Sequence, residues 1–300
     1  MLLLLIILAL FYAFLNGYRD SSSILAGVIA SRALPPALGL AIAAVAEFIA
    51  PFLFGVAVAR ALATGLIDPA MITLQTIVVA MAAAVTWTLF AWWRGIPSSS
   101  SHALVGGLLG SALLAHGSKA ILSSGLVKVV MPLFLAPLLG LVAGNLAMTT
   151  FLYAFRNATP RVNTLFRRLQ IFTMVGLALS HSANDAQKSM GIIVLGLVLS
   201  GELDSFHVPF GVMAACATAI ALGASRGDWR LIRTLGSKIY RIRPLNALAS
   251  QTASAGVIMA SAMFGAPVST SQVIGMALMG AGSAERVPST RTGCCRSPRR

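Results

Sequence analysis

Charged residues are scarce in this chain, and acidic residues are the scarcest of them. Only 8 of its 300 residues are Asp or Glu against 22 Lys or Arg, and charged residues make up 10% of the total. Because soluble domains carry about 25% charged residues, this composition excludes an ordinary soluble protein. Hydrophobic residues reach 57%, which predicts a membrane protein that crosses the bilayer several times.

Cysteine is also too rare to build a framework. Cys216 lies in an apolar segment, and Cys294 and Cys295 are adjacent near the end, so neither disulfide nor metal-site spacing is present. The basic residues lie in short loops between apolar runs and not in a stripe with aromatics, so no nucleic-acid partner is expected. Met1–Leu15 lacks a positive start and a cleavage site, and we interpret it as a retained membrane segment.

Charge in the loops predicts the orientation. The segments Arg156–Arg168 and Ser225–Pro244 are rich in arginine, which places them in the cytoplasm by the positive-inside rule. Two crossings separate them, and the acidic loop Gly201–Ser205 between those crossings falls outside. We therefore expect an integral, multi-pass protein of a prokaryotic cell membrane.

Two polar stretches interrupt apolar segments of membrane-crossing length. Ser180–Gly191 contains Asp185 and Lys188, and Asn16–Ser23 contains Asp20. Ionisable residues at membrane depth mark ion or substrate sites by default. Since non-helical backbone is tolerated there only inside the protein or along a wet cavity, these stretches predict two helices broken at a binding site.

The order of features repeats along the chain. Gly95 and Gly110 recur 170 positions later as Gly265 and Gly280, and each first glycine precedes a proline and a hydroxyl cluster. The predicted class is an all-α polytopic membrane protein with inverted-topology repeats, whose broken helices meet near the bilayer midplane. The predicted parts are a first repeat at 1–155, a basic cytoplasmic linker at 156–170, an incomplete second repeat at 171–286 and a basic tail at 287–300.

The hydroxyl clusters suit an anion. A helix start leaves backbone N–H groups unpaired and carries partial positive charge, and hydroxyls add donors. A second interpretation stays open, in which these residues cap their own helices or bond to carbonyls one turn back. The candidate anion-binding residues of the two clusters are Ser98, Ser99, Ser100, Ser101, Ser269, Thr270 and Ser271.

Buried acids suit a cation instead. Asp20 and Asp185 would repel an anion but favour a hard cation or a proton, unless they pair with Arg19 or Lys188. An oxyanion and a cation that share one site offset each other's burial cost, as symport requires. Ser23 and Glu47 are further candidate cation ligands, and Asn184, Gln187 and Lys188 are candidate contacts to the anion. For His102 and His181 we expect structural hydrogen bonds.

The motifs resemble the inorganic phosphate transporter (Pit) family of cation-coupled permeases. The resemblance rests on Asn16–Asp20, Gly95–Gly107, His181–Gly191 and Gly265–Arg286, and it covers about residues 1–286. It implies a transporter, not an enzyme, that moves phosphate with sodium or a proton by alternating access. It also implies that the substrate is sometimes a metal–phosphate complex, with no cofactor.

The chain departs from the family at several positions. Ser23 stands where the family has Asn, Gln272 where it has His, and Gln251 where it has an acid. These changes leave the coupling ion open and fit a sulfate permease of the same architecture as an alternative. The polar tail Val287–Arg300 replaces an expected membrane helix.

Two other functional classes, a channel and a hydrolase, are disfavoured, and the oligomeric state is left open. A channel is less suited to paired buried acids than a coupled carrier. An intramembrane hydrolase is disfavoured because Gly-x-Ser-x-Gly is absent. The expected partners are phosphate and the lipid bilayer, and a homo-oligomer stays open.

Overall fold

The computed structural model describes residues 1–68, 70–96, 98–159, 162–229 and 243–286, and this part of the chain is helical. Its helices are α1 Leu2–Ala30, α2 Pro36–Leu53, α3 Ala57–Thr64, α4 Leu74–Arg94, α5 Ser100–His116, α6 Ser123–Gly125, α7 Met131–Ala154, α8 Val162–Leu199, α9 Phe210–Arg226, α10 Pro244–Met263 and α11 Thr270–Arg286. A π-helical turn, Leu126–Val130, joins α6 to α7. The predicted all-α class is confirmed, while the tail Val287–Arg300 lies outside the described residues.

Several helices have the length and composition of membrane spans. Among the described residues, Leu2–Ala30, Pro36–Leu53, Leu74–Arg94 and the continuous segment Ser123–Ala154 are long and apolar enough to cross a bilayer. Large apolar side chains remain exposed along their outer faces, as on α7 at Phe134, which is 64% exposed. Such a surface is stable against lipid and unstable in water, which confirms the multi-pass membrane protein.

The predicted breaks at the two polar stretches are wrong. Helix α1 runs unbroken through Asn16–Ser23, and α8 runs unbroken through Ser180–Gly191. The polar side chains form bonds of their own: the Ser22 hydroxyl donates to the Arg19 carbonyl at 2.8 Å. Because side chains and neighbouring helices satisfy the polar groups, the backbone hydrogen bonds of each helix remain intact and no unwinding is needed.

Helices α1 and α8 form an antiparallel pair at the centre. The Ser189 hydroxyl donates to the Ala9 carbonyl at 2.9 Å. Further along the pair, the Ser31 hydroxyl donates to Gln170 Oε1 at 2.5 Å. Residue numbers therefore rise along one helix as they fall along the other, and Asp20 and Asp185 come to the same level.

The breaks in the fold lie at two glycines instead. Gly95 ends α4 with φ 67°, and Gly265 follows α10 with φ 71°. The bonding pattern is the same: Gly95 N–H donates to Trp92 O and Ile96 N–H to Ala91 O, as Gly265 N–H donates to Ala262 O and Ala266 N–H to Ser261 O. This left-handed cap favours glycine and stops the helix. A new helix then starts at Ser100 or Thr270.

Glycine also brings distant helices into backbone contact. A Cβ at Gly17 of α1 would lie 2.0 Å from Ile220 O of α9, and one at Gly223 would lie 2.0 Å from Phe14 O. The pair α7 and α11 repeats this reciprocal pattern, with Gly144 against Ala277 O at 2.1 Å. These approaches are the small-residue packing typical of membrane helices.

Candidate functional site

His181 lies at the centre of a buried cluster of three carboxylates. Its Nδ1 is 2.9 Å from Glu47 Oε1, and its Nε2 is 3.3 Å from Asp20 Oδ2 and 3.2 Å from Asp185 Oδ2. The Thr270 hydroxyl lies 3.2 Å from the same oxygens of Asp20 and Asp185. Helices α1, α2, α8 and α11 therefore meet at one polar centre, and the predicted proximity of Asp20, Asp185 and Glu47 is observed.

The geometry requires a proton within this cluster. A neutral imidazole has one donor and one acceptor nitrogen, yet both ring nitrogens of His181 face carboxylate oxygens. Either His181 is an imidazolium, or one of the carboxyl groups holds the proton. With all acids ionised and His181 neutral, Asp20, Glu47 and Asp185 outnumber the single base Lys188 by two charges. A buried excess of negative charge calls for a cation or a proton.

Lys188 connects this cluster to both hydroxyl loops. Its Nζ pairs with Asp185 Oδ1 and donates to Ser101 Oγ at 2.5 Å and to Val268 O at 2.8 Å. The Ser101 hydroxyl in turn donates to Val268 O at 2.8 Å. The start of α5 and the loop before α11 thus lie against the same ammonium group and contact each other.

Most hydroxyls of the first cluster already have protein partners. Ser99 caps α5, since its Oγ accepts from the His102 backbone N–H at 3.3 Å, which is the capping role that the sequence left open. Ser98 Oγ accepts from Trp87 Nε1 at 2.8 Å, and the Ser101 hydroxyl bonds to Val268 O as above. At Ser100 it is the backbone carbonyl that has a partner, since it accepts from Tyr12 OH at 2.8 Å. An anion here would displace or add to these contacts.

Four buried polar side chains have unsatisfied atoms among the described residues: Asn246, and three near this centre, Asn16, Glu47 and Ser269. Both amide atoms of Asn16, Oε2 of Glu47 and Oγ of Ser269 make no hydrogen bond. Asn16 lies one helical turn from Tyr12 and one turn from Asp20. Because Tyr12 bonds to the start of α5 and Asp20 to the start of α11, Asn16 lies between the two helix starts. An unsatisfied buried amide costs about 1–3 kcal/mol unless a ligand pairs with it.

Other candidates lie at the edges of this centre. Gln187 faces α3, where its Oε1 accepts from Val58 N–H at 2.8 Å. Asn184 holds the loop before α11, donating to Ala266 O at 3.0 Å and accepting from Val268 N–H at 3.2 Å. Ser23 and Ser271 line a cavity that also contains Asp20.

Sequence reasoning missed two residues of the centre. His181 was expected to be structural, but it contacts three acids. Its signal was the spacing to Asp185, which places both side chains on one helix face. Asn16 was read only as part of a motif, although an amide four residues before a buried acid must face the same interior.

Two positions at which the chain departs from the family, Gln251 and Gln272, carry uncharged side chains. Gln251 Oε1 accepts from the Thr173 hydroxyl at 2.8 Å, and its Nε2 donates to Ile24 O at 3.3 Å. Gln251 therefore joins α10 to α8 and α1 by hydrogen bonds alone. Gln272 lines the cavity. Neither position adds a titratable group, so the acids that can hold a coupling ion are those around His181.

A cation could share three of these groups. Asp20, His181 and Asp185 each offer one ligand atom, and these atoms lie within 4.8 Å of one another. Hard cations prefer carboxylate and hydroxyl oxygen, which favours the two acids and Thr270 over the imidazole as direct ligands. A proton would occupy His181 itself.

Comparison with known proteins agrees with this architecture. The profile of the phosphate transporter family matches residues 16–160 and 153–297. A probable low-affinity inorganic phosphate transporter of Rhizobium meliloti is 42% identical over 96% of this chain and 87% of its own length. A protein of the same description from Bacillus subtilis is 35% identical over 97% of this chain and 88% of its own length.

A solved structure has the same fold. The chain matches a structure described as the sodium-dependent phosphate transporter with a TM-score of 0.84, at 21% identity, over 97% of this chain and 91% of that one. The relatives are transporters and not enzymes, which confirms that reading of the sequence. This chain belongs to the phosphate transporter family.

Proposed function

We propose that the protein carries inorganic phosphate across the membrane together with a cation, by alternating access between two inverted repeats, residues 1–155 and 171–286. The observation that supports this best is the meeting of two helix starts at one acid cluster. Thr270 at the start of α11 bonds to Asp20 and Asp185, and Lys188 bonds to Ser101 at the start of α5.

The acids supply the cation site of this proposal. Three oxygen atoms lie close together: Asp20 Oδ2, Asp185 Oδ2 and Thr270 Oγ1. A proton held between His181 and Glu47 would lie in the same negatively charged cluster. Sodium at the three oxygens, or a proton at His181, neutralises part of the buried charge. Binding the cation lowers the cost of bringing phosphate close, since opposite charges in a low-dielectric site attract strongly.

The phosphate site lies beside Asn16, between the starts of α5 and α11. Unpaired backbone N–H groups and positive dipole ends favour an oxyanion there, and the unsatisfied amide of Asn16 and hydroxyl of Ser269 can donate to it. Lys188 adds a positive charge at the boundary between anion and acids. Ser99, Ser100, Ser101 and Ser271 complete the candidate surface.

Uptake of labelled phosphate into proteoliposomes tests the proposal. Sodium and proton gradients are imposed separately, with sulfate as competitor and with or without chelation of divalent metals. We expect uptake under one gradient, unaffected by sulfate and abolished in Asp185→Asn. Asp204→Asn removes an acid from an exposed loop and serves as the matched control, with uptake unchanged.

The outcomes separate the alternatives. Inhibition by excess sulfate would favour the sulfate permease, and loss of uptake on chelation would favour a metal–phosphate substrate. Uptake that needs no gradient and survives Asp185→Asn would contradict symport at these acids.

A further inference from the structure

One cavity leads from the acid cluster to the surface. It has a volume of about 580 Å³ and is lined at its buried end by Asp20 and Ser99. At its mouth lie Ile96, which is 46% exposed, and Trp93, which is 72% exposed. Gly95, Ile96, Ser98 and Ser99 of the α4–α5 loop form one wall. The cavity is therefore a path between the proposed site and one face of the membrane.

Arg19 is the partly buried cation on this path. Its Nη2 donates to Ser98 O at 2.9 Å, which is its one hydrogen bond among the described residues. A guanidinium has five N–H donors in a planar fork that fits phosphate. One bond to Ser98 leaves donors for an anion that passes along the wall.

The two acids that line the cavity, Asp20 and Asp228, already bond to other residues. Asp20 Oδ2 contacts His181 and Thr270. Asp228 Oδ2 accepts from Trp92 Nε1 at 3.0 Å, and the Trp92 ring packs edge-on against Tyr18. Both carboxylates are buried and bonded to other residues, while Arg94 at the mouth lies over the rings of Phe90 and Trp93. Arg19 is thus placed to meet an anion in the cavity.

The mouth lies on the side predicted to be cytoplasmic. Asp228, which lines the cavity, follows the end of α9 and belongs to the segment that contains Arg226, Arg230, Arg233, Lys238, Arg241 and Arg243. Such a basic segment stays inside. On the opposite side, Lys188 and Asn184 hold the α10–α11 loop, residues 265–269, where Val268 is fully buried.

We infer that Arg19 is a phosphate contact in a cytoplasm-facing vestibule that adjoins the central site, where the anion binds between that site and the cytoplasm. This inference rests on the proposed function. It assigns Arg19 a role in specificity for a tetrahedral oxyanion on the side of the membrane to which this cavity opens.

Transport from each face tests this role. Right-side-out and everted membrane vesicles are compared for the phosphate concentration that gives half-maximal transport. Arg19→Gln should raise this concentration about tenfold at the cytoplasmic face, as expected for one charge-assisted hydrogen bond, and less than about twofold at the outer face. Arg19→Lys keeps the charge without the fork and should fall between. Arg32→Gln removes an exposed arginine outside the cavity, and should change neither value.

Equal changes at both faces, or none at the cytoplasmic face, would overturn the inference. A purely structural role through Ser98 predicts equal changes and equal loss in Arg19→Lys.

Absence of transport by the unmodified protein would contradict the proposed function, and a second experiment then tests the vestibule directly. In a Cys294→Ser, Cys295→Ser background, Ile96→Cys should react with an impermeant thiol reagent from the cytoplasmic side. Inorganic phosphate should slow this reaction with Arg19 present and not in Arg19→Gln; equal rates would refute the site.

Discussion

The α4–α5 loop and the α10–α11 loop begin with the same backbone cap and have opposite surroundings. Each begins with a left-handed glycine, each repeats the same pair of capping hydrogen bonds, and each leads into a helix at the fifth position. Yet Gly95 and Ile96 are exposed, while Gly265 and Val268 are buried. The local sequence of the loops sets their shape, and the helices beside them set whether they are open.

The difference comes from neighbouring positions on the two central helices. Arg19 precedes Asp20 on α1, and Asn184 precedes Asp185 on α8. Asn184 holds its loop by two hydrogen bonds and Lys188 adds a third, whereas Arg19 reaches its loop by one. The sealed loop is therefore held by more bonds from its central helix.

Among substitutions at the two loops, Lys188→Gln should have the largest effect on phosphate uptake and on stability. It removes the cation that pairs with Asp185 and bonds to Val268, and breaking a buried pair in this way costs about 3–5 kcal/mol. We expect phosphate uptake at background level and a lower unfolding temperature in detergent. Lys128→Gln, at an exposed position, is the control. Retained uptake would mean that the seal does not depend on Lys188.

The two capping glycines offer a matched pair. Gly95→Ala and Gly265→Ala both force a side chain into the left-handed region, at about 1–2 kcal/mol. A Cβ at Gly265 would also lie 3.0 Å from Ala57 O, while one at Gly95 would meet nothing within 4 Å. Because crowding adds about 1–3 kcal/mol, Gly265→Ala should unfold at the lower temperature. Equal unfolding temperatures would show that both loops have the same freedom.

Asn184 should have an intermediate effect. Asn184→Ala removes both bonds to the α10–α11 loop and leaves Val268 N–H unpaired, at about 1–3 kcal/mol. We expect uptake to fall about tenfold, with Asn184→Asp less affected because its carboxylate still accepts from Val268. The initial rate of uptake at saturating phosphate measures this. A greater loss in Asn184→Asp than in Asn184→Ala would assign Asn184 to the anion instead.

Trp87→Phe should have the smallest effect. It deletes the N–H that bonds to Ser98 Oγ in the open loop, a contact worth about 0.5–1.5 kcal/mol, and keeps the aromatic packing with Phe90. Since Arg19 still contacts Ser98, we expect less than about a threefold change in the initial rate. A loss as large as that of Lys188→Gln would show that the two loops are held with similar strength.

The sequence predicted the membrane class, the pairing of the acids and the two glycine loops, because composition, charge and repeated spacing carry those features directly. It did not predict that α1 and α8 continue through their polar stretches. A run of polar residues looks the same whether it unwinds or is satisfied by other helices, and only tertiary partners such as Glu47 for His181 decide between them. The vestibule was also hidden, since it depends on which loop is sealed.

The reciprocal glycines have a consequence for how the chain assembles. Gly17 on α1 packs against Ile220 on α9, and Gly144 on α7 packs against Ala277 on α11. As helices enter the bilayer in order during synthesis, α1 and α7 leave glycine-lined grooves that only the later helices α9 and α11 can fill. Those grooves stay in contact with lipid until these later helices have been inserted. Final packing is therefore a late event, and a bulky residue at one of these glycines would leave inserted helices that cannot dock.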